Sequence, residues 1–144
     1  MKFFRVYGQG AGTLGEDTVF IGADTERPAK VAKLNYDFEV FPTDSLVCSL
    51  GQYIGTAELR TALEALSPKV TGIEFDDVQV TMDDQVMINA NEQFPRFYWF
   101  KINGRLGQDD FSVLPDCWIV VSERIRKVLD SFPKELTEIE TYNP

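Results

Sequence analysis

Two stretches, TAELRTALEAL at 56–66 and SERIRKVLDSF at 122–132, decide how this chain is read. Each opens on a hydroxyl residue, Thr56 or Ser122, of the kind that accepts the first free amides of a helix. Each then sets apolar residues at helical spacing: Leu59, Ala62, Leu63 and Leu66 in the first, Ile125, Val128, Leu129 and Phe132 in the second. A single displacement of 66 positions carries Thr56 onto Ser122, Leu59 onto Ile125, Arg60 onto Arg126, Leu63 onto Leu129 and Leu66 onto Phe132. It continues past the helices to Thr71 and Thr137, Ile73 and Ile139, and Glu74 and Glu140, while the Pro-Lys pairs at 68–69 and 133–134 slip by one. Caps and apolar faces recur in unrelated helices, so the helical match alone says little. The shared Thr-x-Ile-Glu marks a duplicated strand–helix–strand unit.

Outward from these units the pattern is β. Tyr36, Phe38 and Val40 alternate with Asp37 and Glu39, a half-buried strand that ends at Pro42. Further strands are expected at Phe3–Tyr7, Thr18–Ile21, Leu46–Leu50, Arg96–Ile102, Phe111–Leu114 and Trp118–Val121. Ile73, Phe75, Val78 and Val80 predict a strand broken at Asp76-Asp77, and residues 22–35 read as a loop or a frayed helix. Ser67-Pro68 should end the first helix. Together these predict an α+β fold: a mixed or antiparallel sheet with two main helices on one face and a helical share of roughly 20–25%, below the usual third. The organisation expected is a single domain over 1–144, with N-terminal strands and a loop at 1–35, a first αβ unit at 36–80 and a second at 94–142.

At 144 residues, 44% of them apolar, the chain has material for a sizeable core. Fourteen basic against 23 acidic residues leave a net charge of −9, which repels phosphate backbones and anionic lipid and attracts basic proteins. The same acidity also serves plain solubility. Met1-Lys2-Phe3-Phe4-Arg5 has no apolar run after it, and no stretch approaches a membrane span, so a cytoplasmic protein is expected. Cys48 and Cys117 lack a CxxC spacing and sit in apolar surroundings, which predicts buried core thiols rather than a redox pair.

The chemistry available is limited by the absence of histidine, which removes the usual general base, metal ligand and triad member. Gly10-Ala-Gly12-Thr-Leu-Gly15 is a formal GxGxxG after a strand, but Glu16-Asp17-Thr18-Val19 follows it as turn and strand, where a dinucleotide site needs a helix. Three aspartate pairs, at 76–77, 83–84 and 109–110, lack the spacing of a calcium loop; neighbouring strand residues point to opposite faces, so each pair offers one carboxylate per side. No cofactor and no catalytic residue is therefore assigned. The aromatic string Phe94, Phe97, Tyr98, Trp99 and Phe100 reads as core, with one or two rings left as binding anchors.

Pro95-x-Phe97-x-Trp99-x-Lys101-x-x-Gly104, Asp109-Asp110-Phe111 and Ile119-Val-Val-Ser122-Glu-Arg124 together resemble bacterial immunity proteins of polymorphic-toxin systems. In these, a strand ending in Val-Ser-x-Arg opens a helix that leads to a Thr-x-x-Glu-Phe-like strand; the first unit, with Thr71-Gly-Ile-Glu-Phe75, is similar to the upstream half of that pattern. The resemblance spans about residues 36–142, supplies no catalytic residues, and implies a bacterial protein that neutralises a partner toxin by occluding it. The expected partner is a cognate basic protein, with no nucleic acid and no membrane; a homodimer is compatible with this reading. Asp83, Asp84, Asp109 and Asp110 are the candidate carboxylates for the partner, and Trp99 the candidate anchor. The competing reading is a small domain or enzyme that uses its carboxylates on a ligand or divalent cation.

Overall fold

Short apolar runs bounded by Gly, Pro and Asp become strands here, and only the two duplicated amphipathic segments grow into helices of two turns. The computed structural model describes residues 2–23, 25–89 and 93–144. In chain order the elements are β1 (Phe3–Tyr7), β2 (Gly12–Leu14), β3 (Val19–Phe20), β4 (Val31–Lys33), β5 (Asn35–Phe38), β6 (Leu46–Ser49), β7 (Gln52–Thr56), α1 (Ala57–Glu64), β8 (Ile73–Asp76), β9 (Gln79–Met82), α2 (Asp84–Asn89), β10 (Phe97–Ile102), β11 (Phe111–Val113), β12 (Ile119–Ser122), α3 (Glu123–Asp130) and β13 (Glu138–Tyr142). The fold is α+β with mostly antiparallel pairing. Its helical share falls below expectation because α1 and α3 are only eight residues each. Among the described residues no helix is long and apolar enough to cross a membrane.

The duplication organises the molecule. Two four-stranded sheets have the orders β6-β7-β10-β8 and β11-β12-β1-β13, so β7-α1-β8 corresponds to β12-α3-β13. The strand between the paired units comes from elsewhere in the chain. Phe3 of β1 lies opposite Ser122, as Phe97 of β10 lies opposite Thr56, which makes β1 and β10 equivalent. Strand β1 completes the sheet of the second unit and β10 that of the first. The two sheets differ in one register: Val6 and Phe100 are equivalent, yet Val6 faces Ile139 while Phe100 faces Phe75, two residues on from the Ile73 that the sequence aligns with Ile139. A slip of two keeps every side chain on its original face, which is why it is tolerated.

Alternation along these strands builds the core. Val6, Tyr53, Phe100, Ile119 and Val121 turn inward beneath Leu59 and Leu63 of α1 and Ile125 and Leu129 of α3. The opposite face of the β6-β7-β10-β8 sheet carries Val47, Ile54, Phe97 and Trp99 against Ala11, Val31, Leu34, Tyr36 and Phe38. That sheet is therefore apolar on both sides, and the aromatic string is core as read. The second layer is the β2-β5-β9 sheet, in which β5 and β9 run parallel, with the β3-β4 pair beside it. The break at Asp76-Asp77 is where the chain leaves one sheet for the other.

Three local expectations are corrected. Residues 22–35 hold β4 and the start of β5, not a helix. Thr56 accepts from the Leu59 amide at 3.3 Å and caps α1, but Ser122 makes no side-chain cap bond; its hydroxyl donates to Asp110 at 2.6 Å. Helix α2 has no counterpart in the sequence reading; Asp83 Oδ1 accepts from the Val86 amide at its start.

The two hairpin turns meet. Gly51 (φ 87°) and Cys117 (φ 74°) are equivalent positions, both left-handed, and a Cβ on Gly51 would lie 3.3 Å from the Cys117 sulfur. The Tyr53 hydroxyl donates to the Cys117 carbonyl at 2.8 Å. Cys48 is buried as expected, with its thiol pushed up to about 12, foremost by burial, whereas Cys117 is only half-buried. A left-handed non-glycine residue costs roughly 1–2 kcal/mol, partly offset by the backbone entropy that glycine loses. Cys117→Gly should accordingly stabilise the fold by up to about 1 kcal/mol in chemical denaturation. Gly51→Ala should destabilise it by about 1–3 kcal/mol, since its methyl would sit 2.4 Å from the Pro28 Cβ. A marked loss of stability in Cys117→Gly would refute the strain.

Candidate functional site

The residues that carry the resemblance converge on one carboxylate. Asp110 accepts the Ser122 hydroxyl at 2.6 Å, Arg124 Nε at 3.0 Å and Nη2 at 2.6 Å, and the Thr71 amide at 3.0 Å. Arg124 Nη1 and Nη2 also donate to the carbonyls of Pro68 and Lys69, at 2.6 and 3.2 Å. The Val-Ser-x-Arg and Asp-Asp-Phe motifs thus form a clamp that ties the start of α3 to the loop after α1. Asp44 does the reciprocal work, accepting the Leu136 amide at 2.9 Å and the Thr137 hydroxyl at 2.6 Å. Each threonine of the duplicated Thr-x-Ile-Glu is held by an acid from the other unit. Burial opposes the charge on Asp110, but the bonds from Arg124, Ser122 and Thr71 outweigh it and lower its carboxyl to about 2.

The five residues singled out from sequence do not form one site. Asp110 is 8% exposed and fully engaged, so it is not a free surface carboxylate. Asp109 accepts the Arg105 amide at 2.6 Å and closes the loop before β11. Trp99 is 5% exposed and its indole N–H donates to Gln52 at 3.0 Å, which removes it as a surface anchor. Asp83 and Asp84 are exposed, at the start of α2.

What the fold assembles instead is an acidic border along β8, β9 and α2. Glu74, Asp76, Asp77, Asp83 and Asp84 are all exposed on this consecutive stretch. Asp17, beside exposed Glu16, accepts from Gln79 of β9 at 2.8 Å and extends the border to the β2–β3 turn. The ion pair found in this set is between Asp76 and Lys101, at 3.6 Å. Two clefts of about 370 and 490 Å³ flank Val78, and Asp77 lines both. Such a surface attracts cations and basic side chains over long range. Among the described residues no group of three acidic or thiol ligands is placed to hold a metal ion. Two of the three glycines at 10–15 serve packing: Gly12 leaves no room for a side chain against the Asp37 carbonyl, nor Gly15 against Asn35, whereas Gly10 faces open space. The aspartate pairs at 76–77 and 83–84 were the sequence signals for this border; the contributions of Glu16 and Asp17 depend on strand pairing between distant segments.

The Asp110 clamp has a pH signature. A carboxyl lowered from an ordinary value of roughly 3.9 adds stability that is complete above about pH 5 and disappears as pH falls towards 2. Between those limits the native chain should lose up to about 2 kcal/mol more than Asp110→Asn, which is destabilised at neutral pH. Parallel acid titrations of stability for native and Asp110→Asn chains would exclude the clamp. Comparison of the chain with family models, with characterised proteins and with solved structures finds no match in any of the three.

Proposed function

We propose that this chain is a protein-binding inhibitor, an immunity protein that neutralises a cognate bacterial toxin or effector in the cytoplasm by covering its working surface. The observation that carries this reading is the border of Glu16, Asp17, Glu74, Asp76, Asp77, Asp83 and Asp84, set along β8, the β8–β9 junction, the β2–β3 turn and the start of α2 in a chain of net charge −9. Carboxylates arranged this way raise the encounter rate with a basic protein and discriminate against acidic ones. Apolar residues beside them, in the two clefts at Val78, provide desolvated contact once the partner is seated. The resemblance to immunity proteins points the same way, with its motif residues serving the scaffold and the variable surface serving the partner.

The first test is whether a neighbouring gene encodes a toxin domain, which would then be the natural probe. Co-expression should protect cells from it, and the purified pair should form a stable complex. Glu16→Lys, Glu74→Lys, Asp77→Lys and Asp84→Lys combined should slow association at low salt by about tenfold or more and flatten its salt dependence. Reversal of Glu135 and Glu138, away from the border, should leave the rate near that of the native chain. Absence of protection and of a complex would end the inhibitor reading. A strong rise in melting temperature with millimolar calcium or magnesium would instead favour a cation-binding domain.

A further inference from the structure

A cleft of about 580 Å³ opens where β10, the β6–β7 turn, the end of β11 and the β3–β4 arm converge. Its volume falls in the range of small-molecule sites. The floor is apolar and buried, formed by Ala29, Val31, Trp99 and Leu114, and the lip carries Ile21, a large aliphatic side chain left 55% exposed. Polar groups inside are already matched: the Trp99 indole donates to Gln52, whose amide donates to the Ala29 carbonyl. Nothing in the floor calls for a polar ligand.

The charged residues lining the cleft are Lys30 and Lys101, and no carboxylate lines it, in a chain with 23 acidic residues. Lys30 is exposed and Lys101 half-buried, and each has one weak tether, Lys30 to Glu26 at 3.4 Å and Lys101 to Asp76 at 3.6 Å. Exposed pairs of this kind are worth about 0–1 kcal/mol, so an incoming anion can compete for the ammonium groups. Lys101 also lies 4.8 Å from the Trp99 ring, which holds its charge over the apolar floor. We propose that this cleft binds a small amphipathic carboxylic acid, its hydrocarbon body on Val31, Trp99 and Leu114 and its carboxylate met by Lys30 and Lys101. The inference does not rest on the inhibitor reading: no carboxylate of the acidic border lines the cleft, and the border touches it only through the Asp76–Lys101 pair.

Decanoate, decanol and decyltrimethylammonium titrated into the full chain by calorimetry separate the contributions of charge and chain. Decanoate should bind one to one with a rise in melting temperature, decanol more weakly, and the cation not at all. Lys30→Met with Lys101→Met should weaken decanoate by about tenfold or more at unchanged melting temperature of the free protein. Ile21→Ser, which removes the exposed aliphatic lip and leaves both lysines and the buried floor in place, should weaken decanoate several-fold. Equal binding of all three probes, native affinity in both variants, or no decanoate binding at millimolar concentration would overturn the proposal. Tighter binding of a short peptide ending in a free Phe carboxylate would assign the cleft to a protein terminus and also overturn it.

Discussion

Everything in this molecule hangs on two strands inserted antiparallel across the duplication: β1 between β12 and β13, and β10 between β7 and β8. Each unit contributes a helix and three strands to its own sheet and obtains the fourth from a segment belonging to the other half. The inward residues of the borrowed strands, Val6 and Phe100, sit at the centre of the shared core with the faces of α1 and α3. Neither sheet can be finished without both halves, so the burial that stabilises one is coupled to that of the other. The acid clamps repeat the principle at the rim, with Asp110 holding Thr71 and Asp44 holding Thr137.

The two sheets have diverged where their surroundings differ. On the side away from the helices, Trp99 donates its indole N–H to the Gln52 side-chain oxygen beneath the β2-β5-β9 layer. At the equivalent pair in the other sheet the types are exchanged: Arg5 lies 4.1 Å over the Trp118 ring and pairs with Glu140 at 2.8 Å. A buried indole needs one partner for its single N–H, whereas a half-exposed guanidinium can keep water and a carboxylate at once. The same backbone frame thus supports a dry face in one unit and a charged one in the other.

Much of this was legible in local pattern. The matched helices, their spacing and the Thr-x-Ile-Glu echo identified the repeat, because helix faces and strand alternation depend on neighbours within a few residues. The strand exchange was not legible, since nothing within Phe3–Tyr7 says that its partners lie beyond position 118. The same limit explains Ser122, which has the chemistry of a cap but a stronger partner in Asp110, and Trp99, whose burial comes from a layer made of residues 11–38. Asp83 and Asp84 remained at the surface because a six-residue helix begins there, too short to show a period. The acidic border was half visible: the aspartate pair at 76–77 stood out, but its junction with Asp17 rests on Gln79 reaching across from another strand.

The borrowed strand also bears on how the chain is made. A ribosome delivers β1 more than a hundred residues before β12 and β13, the strands that flank it. Throughout that interval Phe3, Phe4 and Val6 have no sheet to join, and a nascent strand with open edges invites wrong pairings. Closure of this sheet therefore waits for the last strands, a long-range pairing of the slow kind.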